Sequence, residues 1–416
     1  MTPTLSDLTR TFARIGILSF GGPAAQIAMM HREVVDDRKW LSEKDYLSAL
    51  SFCMLLPGPE AMQLATWIGW RSHGVIGGLI TGLLFVLPGA VVVLALSMVY
   101  AAFGTLPLVA AMFTGVQAAV LAVVVEALLR VARRALKGRT HWIIAGMAFA
   151  ALFAFAIPFP VVIIAAGLYG FMTSSGPAGP VPPAENHPNT LKTIAIWGAV
   201  WLIPLAALGL IEGGLLFDIG VFFSKLAVVT FGGAYAVLAW MAQAVVEDKG
   251  WLTLQQMMDG LGLAETTPGP LILVTEFVGY LAAYQQGGVW LGLAGAFVTL
   301  WMTFAPCFLW IFAGAPYIAR LTAQPRLAGA LAAILAAVVG VIANLSLWFA
   351  AHVLFASVTR LTAGPLQMIL PDPASLRLPV VVLAAGAAYL LLVRHWPLPG
   401  VLALTDAVAA LVSLMP

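Results

Sequence analysis

Two short motifs interrupt apolar segments of this chain, and each motif occurs twice. A Phe-Gly-Gly motif lies at residues 20–22 and a Pro-Gly-Pro motif at 57–59, and a constant offset repeats them at 231–233 and 268–270. A proline removes a backbone donor and clashes with the preceding helical turn, so two of them around a glycine should end one half-helix and begin another. The motifs therefore predict broken helices in two equivalent pairs.

These breaks have the chemistry of an anion-binding site. The amino terminus of a half-helix presents unpaired N–H groups and about half a positive charge, which suits a tetrahedral oxyanion. Paired breaks in two halves of a membrane protein point to a binding site near the midplane. The alternative is that the glycines only allow close helix packing and the prolines only kink the helices. The candidate binding residues are Ser19, Phe20, Gly21, Gly22, Pro57, Gly58, Pro59, Thr230, Phe231, Gly232, Gly233, Thr267, Pro268, Gly269 and Pro270.

One cation precedes each Phe-Gly-Gly motif at the same aligned position. Arg14 and Lys225 lie about one and a half helical turns before their motifs. Either side chain could attract an anion to the site, and Arg14 could instead extend to the lipid headgroups. Lys225 lies inside an apolar run, and a lysine within the membrane is a functional candidate by default.

Carboxylates near the breaks suggest that anion transport could be coupled to protons. A carboxyl group that is removed from water binds a proton more tightly. Glu60 and Glu265 are the candidates, and Glu276 lies nearby. None of the three aligns with a carboxylate in the other half of the chain.

The composition shows what kind of element must hold these residues. Of 416 residues, 62% are hydrophobic and only 9% are charged, against about a quarter charged in a soluble domain. Long runs without Asp, Glu, Lys or Arg are each long enough for one or two spans of about 20 residues. The chain is therefore predicted to be an all-α polytopic membrane protein, and the absence of apolar-polar alternation in these runs excludes a β-barrel. The uncharged runs are 72–125, 140–184, 277–319, 327–359 and 378–393.

The two halves are an internal duplication. About fifteen identities fall in roughly forty ungapped positions around the motifs, which indicates a repeat. The domain prediction is a first repeat at 1–174, a polar linker at 175–192, an extra transmembrane helix at 193–212 and a second repeat at 213–416. The predicted segments of the first repeat are 10–30, 43–70, 75–103, 106–130, 141–157 and 159–172. Those of the second are 215–246, 255–285, 288–313, 327–352, 379–394 and 398–414.

Six segments plus one extra helix place the second repeat in the opposite orientation to the first. This is the inverted-topology repeat of many secondary transporters, with about 13 spans. The densest basic loop, from Arg130 to Arg139, should be cytoplasmic. That assignment places the amino terminus inside and the carboxyl terminus outside. The count is wrong if the Pro-Gly-Pro segments are re-entrant hairpins. Residues 1–10 lack the features of a signal peptide, so the first apolar segment is expected to be retained.

The ordered motifs, repeated twice in about 400 residues, resemble those of the chromate ion transporter family in its long, two-domain form. The resemblance also includes the charged connection that ends in Trp40 and Trp251 between the motifs. It implies a secondary transporter of the bacterial inner membrane that exports chromate and confers chromate resistance, driven by the membrane potential and by proton exchange if coupling exists. Pro23 and Glu60 in the first repeat align with Ala234 and Leu271 in the second, so the site should be asymmetric.

Other functions remain as alternatives. Sulfate is also a tetrahedral dianion, so a sulfate or other oxyanion carrier fits the same donors, and a passive anion channel is a further alternative. The chain has no His-Glu-x-x-His metal motif and no serine nucleophile elbow, so an enzyme is not expected. We expect no cofactor, no catalytic or metal site and no nucleic-acid partner. The expected partners are the oxyanion and the lipid bilayer, and a homodimer is compatible with the sequence.

Overall fold

A computed structural model describes residues 3–20, 22–104, 106–175, 189–211, 213–231, 234–364 and 366–413. The chain is 83% helical, which confirms the predicted all-α class. The helices of the first repeat are α1 (Leu5–Leu18), α2 (Gly22–His31), α3 (Glu43–Leu55), α4 (Glu60–Phe103), α5 (Pro107–Ala135), α6 (Arg139–Phe153) and α7 (Phe159–Thr173). The connecting helix is α8 (Thr190–Ile211). The second repeat contains α9 (Leu215–Val229), α10 (Ala234–Gln243), α11 (Leu254–Thr266), α12 (Val274–Gly314), α13 (Ile318–Thr322), α14 (Pro325–Leu354), α15 (Leu378–Ala388) and α16 (Leu398–Ser413).

Five helical stretches in the described part of the chain are long and apolar enough to cross a membrane. They are Glu60–Phe103, Ala111–Ala135, Thr190–Ile211, Leu271–Tyr317 and Pro325–Leu354. Phe159–Thr173, Leu378–Val393 and Leu398–Ser413 are shorter apolar helices. A multi-pass membrane protein follows from these segments.

The helices α4 and α12 are each folded into two arms. In α4 the backbone leaves helical geometry at His73 and at Gly74, whose φ is +61°. Thr81 on the second arm then donates a hydrogen bond of 2.7 Å to the carbonyl of Ala65 on the first. In α12 a similar bend lies at Gly287 and Gly288, three residues after the positions that align with His73 and Gly74. Positive φ is a conformation that glycine adopts without steric cost, so these glycines permit the bends.

The two repeats share further local geometry at aligned positions. A π-helical turn ends each first broken helix, at Arg32–Asp37 and at Ala244–Asp248. The amide of Trp40 then donates to Val34, and that of Trp251 donates to Val245. These matches show that the duplication extends to backbone conformation.

Two compact units divide the chain, and each contains segments of both repeats. The first unit comprises Met1–Met98, Ser175–Val237 and Leu263–Ala328. The second comprises Val99–Ser174, Leu238–Gly262 and Gly329–Pro416.

Helices from different repeats pack on one another within the second unit. In the first repeat, α5 packs against α15 and α16 of the second. In the second repeat, Gly340 of α14 lies against the backbone of α6, and Gly329 lies against Gly170 of α7. Thus α5 of the first repeat packs against α15 and α16 of the second, and α14 of the second repeat packs against α6 and α7 of the first.

A β-hairpin in the second unit is an element that the sequence analysis does not predict. Strand β1 (Val358–Ala363) pairs in antiparallel register with β2 (Leu366–Pro371). The hairpin lines a polar cavity of about 360 Å³. Arg360 of β1 forms an ion pair there with Glu247, which also accepts a hydrogen bond of 3.2 Å from the indole of Trp348.

The charged connection between α2 and α3 is held together by a histidine. His31 Nε2 lies 2.6 Å from the Glu43 carboxylate, and Nδ1 lies 3.3 Å from that of Asp36. The hydrogen bond to Glu43 is the main reason that the pKa of His31 is raised above its ordinary value.

We expect the His31 pair to stabilise the protein at low pH. A histidine whose pKa is raised by folding contributes stability below its unfolded pKa of about 6.5, and this is lost as the pH rises through the raised value. Thermal unfolding in detergent should show that His31→Gln lowers the midpoint at acidic pH and leaves it unchanged at alkaline pH. An equal decrease at both pH values would contradict this assignment.

Close packing between repeats predicts that Gly340 tolerates no side chain. A Cβ there would overlap the carbonyl oxygen of Ala145 and lie 2.7 Å from the amide nitrogen of Phe149. We expect Gly340→Ala to destabilise the protein by about 1 to 3 kcal/mol, measured as a lower thermal midpoint. Gly146→Ala is the matched control, because Gly146 lies on α6 with nothing within 4 Å of its Cβ position. Equal midpoints in the two variants would contradict close packing at Gly340.

Candidate functional site

The first broken helix of each repeat ends in the same tight turn. Ser19 has φ −80° and ψ +64°, and the amide of Phe20 donates to the carbonyl of Leu18 at 2.9 Å. Thr230 has φ −77° and ψ +85°, and the amide of Phe231 donates to Val229 at 3.0 Å. Both are inverse γ-turns. The predicted breaks at the Phe-Gly-Gly motifs are therefore present in the structure.

The structure brings the two kinds of break together, and each pairing joins different repeats. The amide of Gly58 donates a hydrogen bond of 2.7 Å to the carbonyl of Thr230. The amide of Gly269 donates one of 2.8 Å to the carbonyl of Ser19. All four residues are buried. The sequence predicts that these two glycine N–H groups bind a ligand. In the structure, each of them instead donates a hydrogen bond to a carbonyl of the protein.

Both Pro-Gly-Pro glycines are in conformations and spaces that exclude a side chain. Their φ angles are +121° at Gly58 and +93° at Gly269, in the region that favours glycine. A Cβ on Gly58 would lie 2.9 Å from the sulfur of Cys307, and a Cβ on Gly269 would lie 3.2 Å from Cα of Gly89. The glycines therefore permit the approach of a helix arm from the other repeat.

Two glutamines at the breaks were missed by the sequence analysis. Gln26 is fully buried, and its Nε2 donates to the carbonyls of Ser19 at 3.3 Å and Gly269 at 2.7 Å. Gln63 is also fully buried, and its Nε2 donates to the carbonyl of Pro57 at 2.6 Å. Gln26 therefore connects the break of its own repeat to the break of the other.

A simple signal could have identified these glutamines. Each is an uncharged amide residue four positions after a break motif, about one helical turn along the following half-helix. The aligned residues of the second repeat are Val237 and Val274. Only the first repeat has these glutamines, so the equivalence of the two repeats does not point to them. The site is consequently asymmetric in its buried polar groups.

Neutral polar atoms at the breaks are available to a ligand. The Ser19 hydroxyl is buried and has no hydrogen-bond partner in the described structure, so it can donate to an oxyanion. The Oε1 atoms of Gln26 and Gln63 are also buried without a partner, but they can only accept a hydrogen bond. The hydroxyls of Thr230 and Thr267 instead donate to carbonyls of their own helices. Helices α2, α4 and α10 begin directly after the breaks, and the first N–H groups of a helix have no acceptor within it. This arrangement can donate hydrogen bonds to an oxyanion without a buried cation.

The charged candidates lie in less enclosed positions. The side chain of Arg14 is 65% exposed and forms an ion pair with Glu33 at 3.6 Å. Lys225 is exposed on α9. Glu60 is the first residue of α4 and Glu265 lies in α11, and both are half-buried. The structure thus places both cations on exposed helix faces.

The remaining candidate residues differ in their exposure. Phe20 is 46% exposed, whereas Pro59, Pro268 and Pro270 are buried. Gly21, Gly232 and Gly233 lie outside the described residues. Within the described part of the chain, no group of three His, Cys, Asp or Glu side chains could hold a metal ion.

Comparison with known proteins identifies the family of this chain. The family model described as chromate transporter matches residues 6–171 and 217–414, one match in each repeat. The chain belongs to the chromate transporter family.

Curated relatives of this family match along most of the chain. A chromate transport protein of Cupriavidus metallidurans is 30% identical over 407 residues, covering 95% of this chain and 94% of the relative. One from Pseudomonas aeruginosa is 33% identical over 400 residues, covering 92% and 91%. A probable chromate transport protein of Synechococcus elongatus is 31% identical over 345 residues, covering 82% and 83%. No solved structure matches the chain. The resemblance inferred from the two motifs is thus confirmed, and the family is one of transporters.

We expect Gln26→Val to weaken the connection between the two repeats. The carbonyl of Gly269 would lose its buried donor, which costs about 1 to 3 kcal/mol. Thermal unfolding in detergent should show the loss, and uptake of labelled oxyanion into vesicles should decrease with it. Ala28→Val is the control, because it adds a β-branched residue to the exposed face of the same helix. Equal stability and uptake in both variants would contradict a role for the glutamine.

Proposed function

We propose that this protein exports chromate across the bacterial inner membrane and thereby confers chromate resistance. Relatives named chromate transport proteins support the substrate, because they match this chain over most of its length. The observation that carries a transport mechanism is the reciprocal pairing of broken helices from two repeats, through the amides of Gly58 and Gly269. Broken helices of this kind surround the substrate in secondary transporters.

The proposed topology is an inverted repeat of about 13 spans. The amino terminus is cytoplasmic and the carboxyl terminus is periplasmic in this proposal. The shared turns, π-helical segments and bends support two equivalent repeats. An odd number of predicted segments before the second repeat supports the inversion. Movement of one set of helices against the other would then expose the site to each side in turn.

Neutral donors would recognise the oxyanion. The Ser19 hydroxyl and the N–H groups in the first turns of α2, α4 and α10 lie at the breaks. Arg14 and Lys225, on exposed helix faces, would raise the local concentration of the anion. A site made of dipoles suits a carrier, because the dianion must also dissociate from it.

The membrane potential is sufficient to drive export. Moving one charge through 100 mV corresponds to about 2.3 kcal/mol, so outward movement of a dianion gains about 4.6 kcal/mol. This corresponds to more than about three decades of concentration ratio. Exchange for an inward proton adds to this driving force, and the sequence suggests Glu60 or Glu265 as the proton carrier.

Sulfate is the main alternative substrate. It has the same tetrahedral shape and charge as chromate, so hydrogen-bond donors alone do not separate the two. A passive anion channel is the alternative mechanism. Saturable flux and exchange of labelled for unlabelled anion distinguish a carrier from a channel.

We expect inside-out membrane vesicles to accumulate labelled chromate when their interior is made positive. At 100 mV the accumulation ratio should approach about a thousand or more, since export is the downhill direction for a dianion. Unlabelled sulfate should compete only weakly if chromate is preferred. Vesicles from cells without the protein are the control. Net uptake that does not depend on the imposed potential would contradict potential-driven export, and stronger inhibition by sulfate than by chromate would favour the alternative substrate.

A further inference from the structure

The first arm of α12 contains a buried carboxyl group that no contact neutralises. Glu276 lies six residues after Pro270, and only 1% of its surface is exposed. Its Oε2 atom has no hydrogen-bond partner. Among the described residues, no Lys, Arg or His lies within 4.0 Å of its carboxylate. Glu276 is therefore a buried acid without a counter-charge.

Charged groups on the surrounding helices do not supply the missing charge. The helices α4, α8 and α9 pack against α12. The charged and histidine residues of these three helices are exposed except for Glu60, which is half-buried. The residues concerned are Glu60, Arg71 and His73 on α4, Lys192 on α8, and Asp218 and Lys225 on α9. An unpaired buried charge costs several kcal/mol. The carboxyl group can therefore be ionised only when solvent or a cation reaches it, and otherwise it holds a proton.

A row of phenols leads from this carboxyl group toward the end of the helix arm. Tyr280 and Tyr284 follow Glu276 at spacings of four residues, which places all three on one helix face. The Tyr280 hydroxyl is buried and has no partner. The rings of Tyr280 and Tyr284 stack with centroids 5.7 Å apart, and Tyr284 is half-buried. A phenol both donates and accepts a hydrogen bond. Because the Tyr280 hydroxyl bonds to neither Glu276 nor Tyr284 in this structure, a proton relay along the row requires bridging water or rotation of these side chains.

Exposed residues of the kind found at a membrane surface follow the far end of the row. Gln285 and Gln286 follow Tyr284 and are exposed, and Trp290 is 84% exposed just beyond the bend. Exposed tryptophan and polar residues are typical of the membrane-water interface. Along the helix axis, Glu276 lies about 12 Å from Tyr284. It therefore lies between the exposed end of this arm and the Pro-Gly-Pro break. Gly292 leaves room for the buried ring, since a Cβ there would lie 2.9 Å from Tyr280 Cε2.

We propose that Glu276 binds and releases the proton that is exchanged for the exported oxyanion, and that Tyr280 and Tyr284 form its route to one membrane surface. This inference rests on the proposed function and names a residue different from Glu60 and Glu265. One carboxylate oxygen takes up a proton from one side and releases it to the other. No bond of the oxyanion forms or breaks. Inward movement of the proton and outward movement of the dianion both transfer positive charge inward.

The test uses the full chain reconstituted in liposomes with a pH-sensitive dye inside. In the wild type, an outward chromate gradient should drive protons in the opposite direction, with a rate that depends on pH. In Glu276→Gln this proton movement should decrease to the level of protein-free liposomes, whereas exchange of labelled for unlabelled chromate continues. Glu276→Asp should restore part of the proton movement. Glu126→Gln is the control, because Glu126 lies on α5 and not on α12, and it forms an ion pair with Arg130 of the same helix.

The outcomes separate this proposal from the proposed function. A wild type that exchanges no chromate contradicts the proposed function and, with it, the coupling. Chromate exchange with unchanged proton movement in Glu276→Gln overturns the assignment of Glu276 alone. Unchanged proton movement in Tyr280→Phe overturns the phenol route.

A second measurement does not depend on transport. Infrared spectra of the wild type in lipid should contain the band of a protonated carboxyl group that shifts in heavy water and changes when chromate is added. The band should be lost in Glu276→Gln and retained in Glu126→Gln. The same band in the wild type and in Glu276→Gln would overturn the proposal.

Discussion

The hydrogen bonds from Gly58 to Thr230 and from Gly269 to Ser19 are the constraint on which the rest of the fold depends. A helix that breaks inside a membrane leaves backbone groups that water cannot satisfy, at a cost of several kcal/mol each. In this protein each break supplies a donor or an acceptor to a break of the other repeat. One repeat alone lacks the matching partner, because the acceptor for the amide of each Pro-Gly-Pro glycine lies in the other repeat.

The same exchange between repeats determines how the helices are distributed. Each compact unit contains segments of both repeats, and in the second unit the long helices α5 and α14 each pack against helices of the opposite repeat. Small residues make this possible, since Gly340 meets the backbone of α6 directly. The sequence repeats are thus units of evolution, whereas the compact units are the bodies in which helices pack. If α5 or α14 moves relative to the other helices of its own repeat, its contacts with helices of the opposite repeat must change as well.

Local chemistry explains which features could be predicted from the sequence. Glycine and proline act within one helical turn, so the breaks at the two motifs and the helix ends around them follow from the sequence alone. The hairpin at β1 and β2 could not be predicted, because its strands carry no strong alternation of apolar and polar residues. Gln26 and Gln63 could not be predicted from the equivalence of the repeats, because the second repeat has valines at the aligned positions. The exposure of Lys225 depends on which face of α9 packs inward. The residues on both sides of Lys225 are apolar, so the sequence does not indicate which face of α9 that is.

The differences between the repeats divide the chemistry between them. Buried amides occur in the first repeat at Gln26 and Gln63, where the second has valines, while the unpaired carboxyl group of Glu276 aligns with Ala65. A buried carboxylate beside a dianion would repel it, so a carboxyl group in this protein is compatible with a bound oxyanion only when it holds a proton. Conversely, loss of the dianion would remove that repulsion and favour release of the proton. In the proposed mechanism, the lack of buried cations among the described residues would make proton and oxyanion occupancy depend on each other, which is the condition that coupled transport requires.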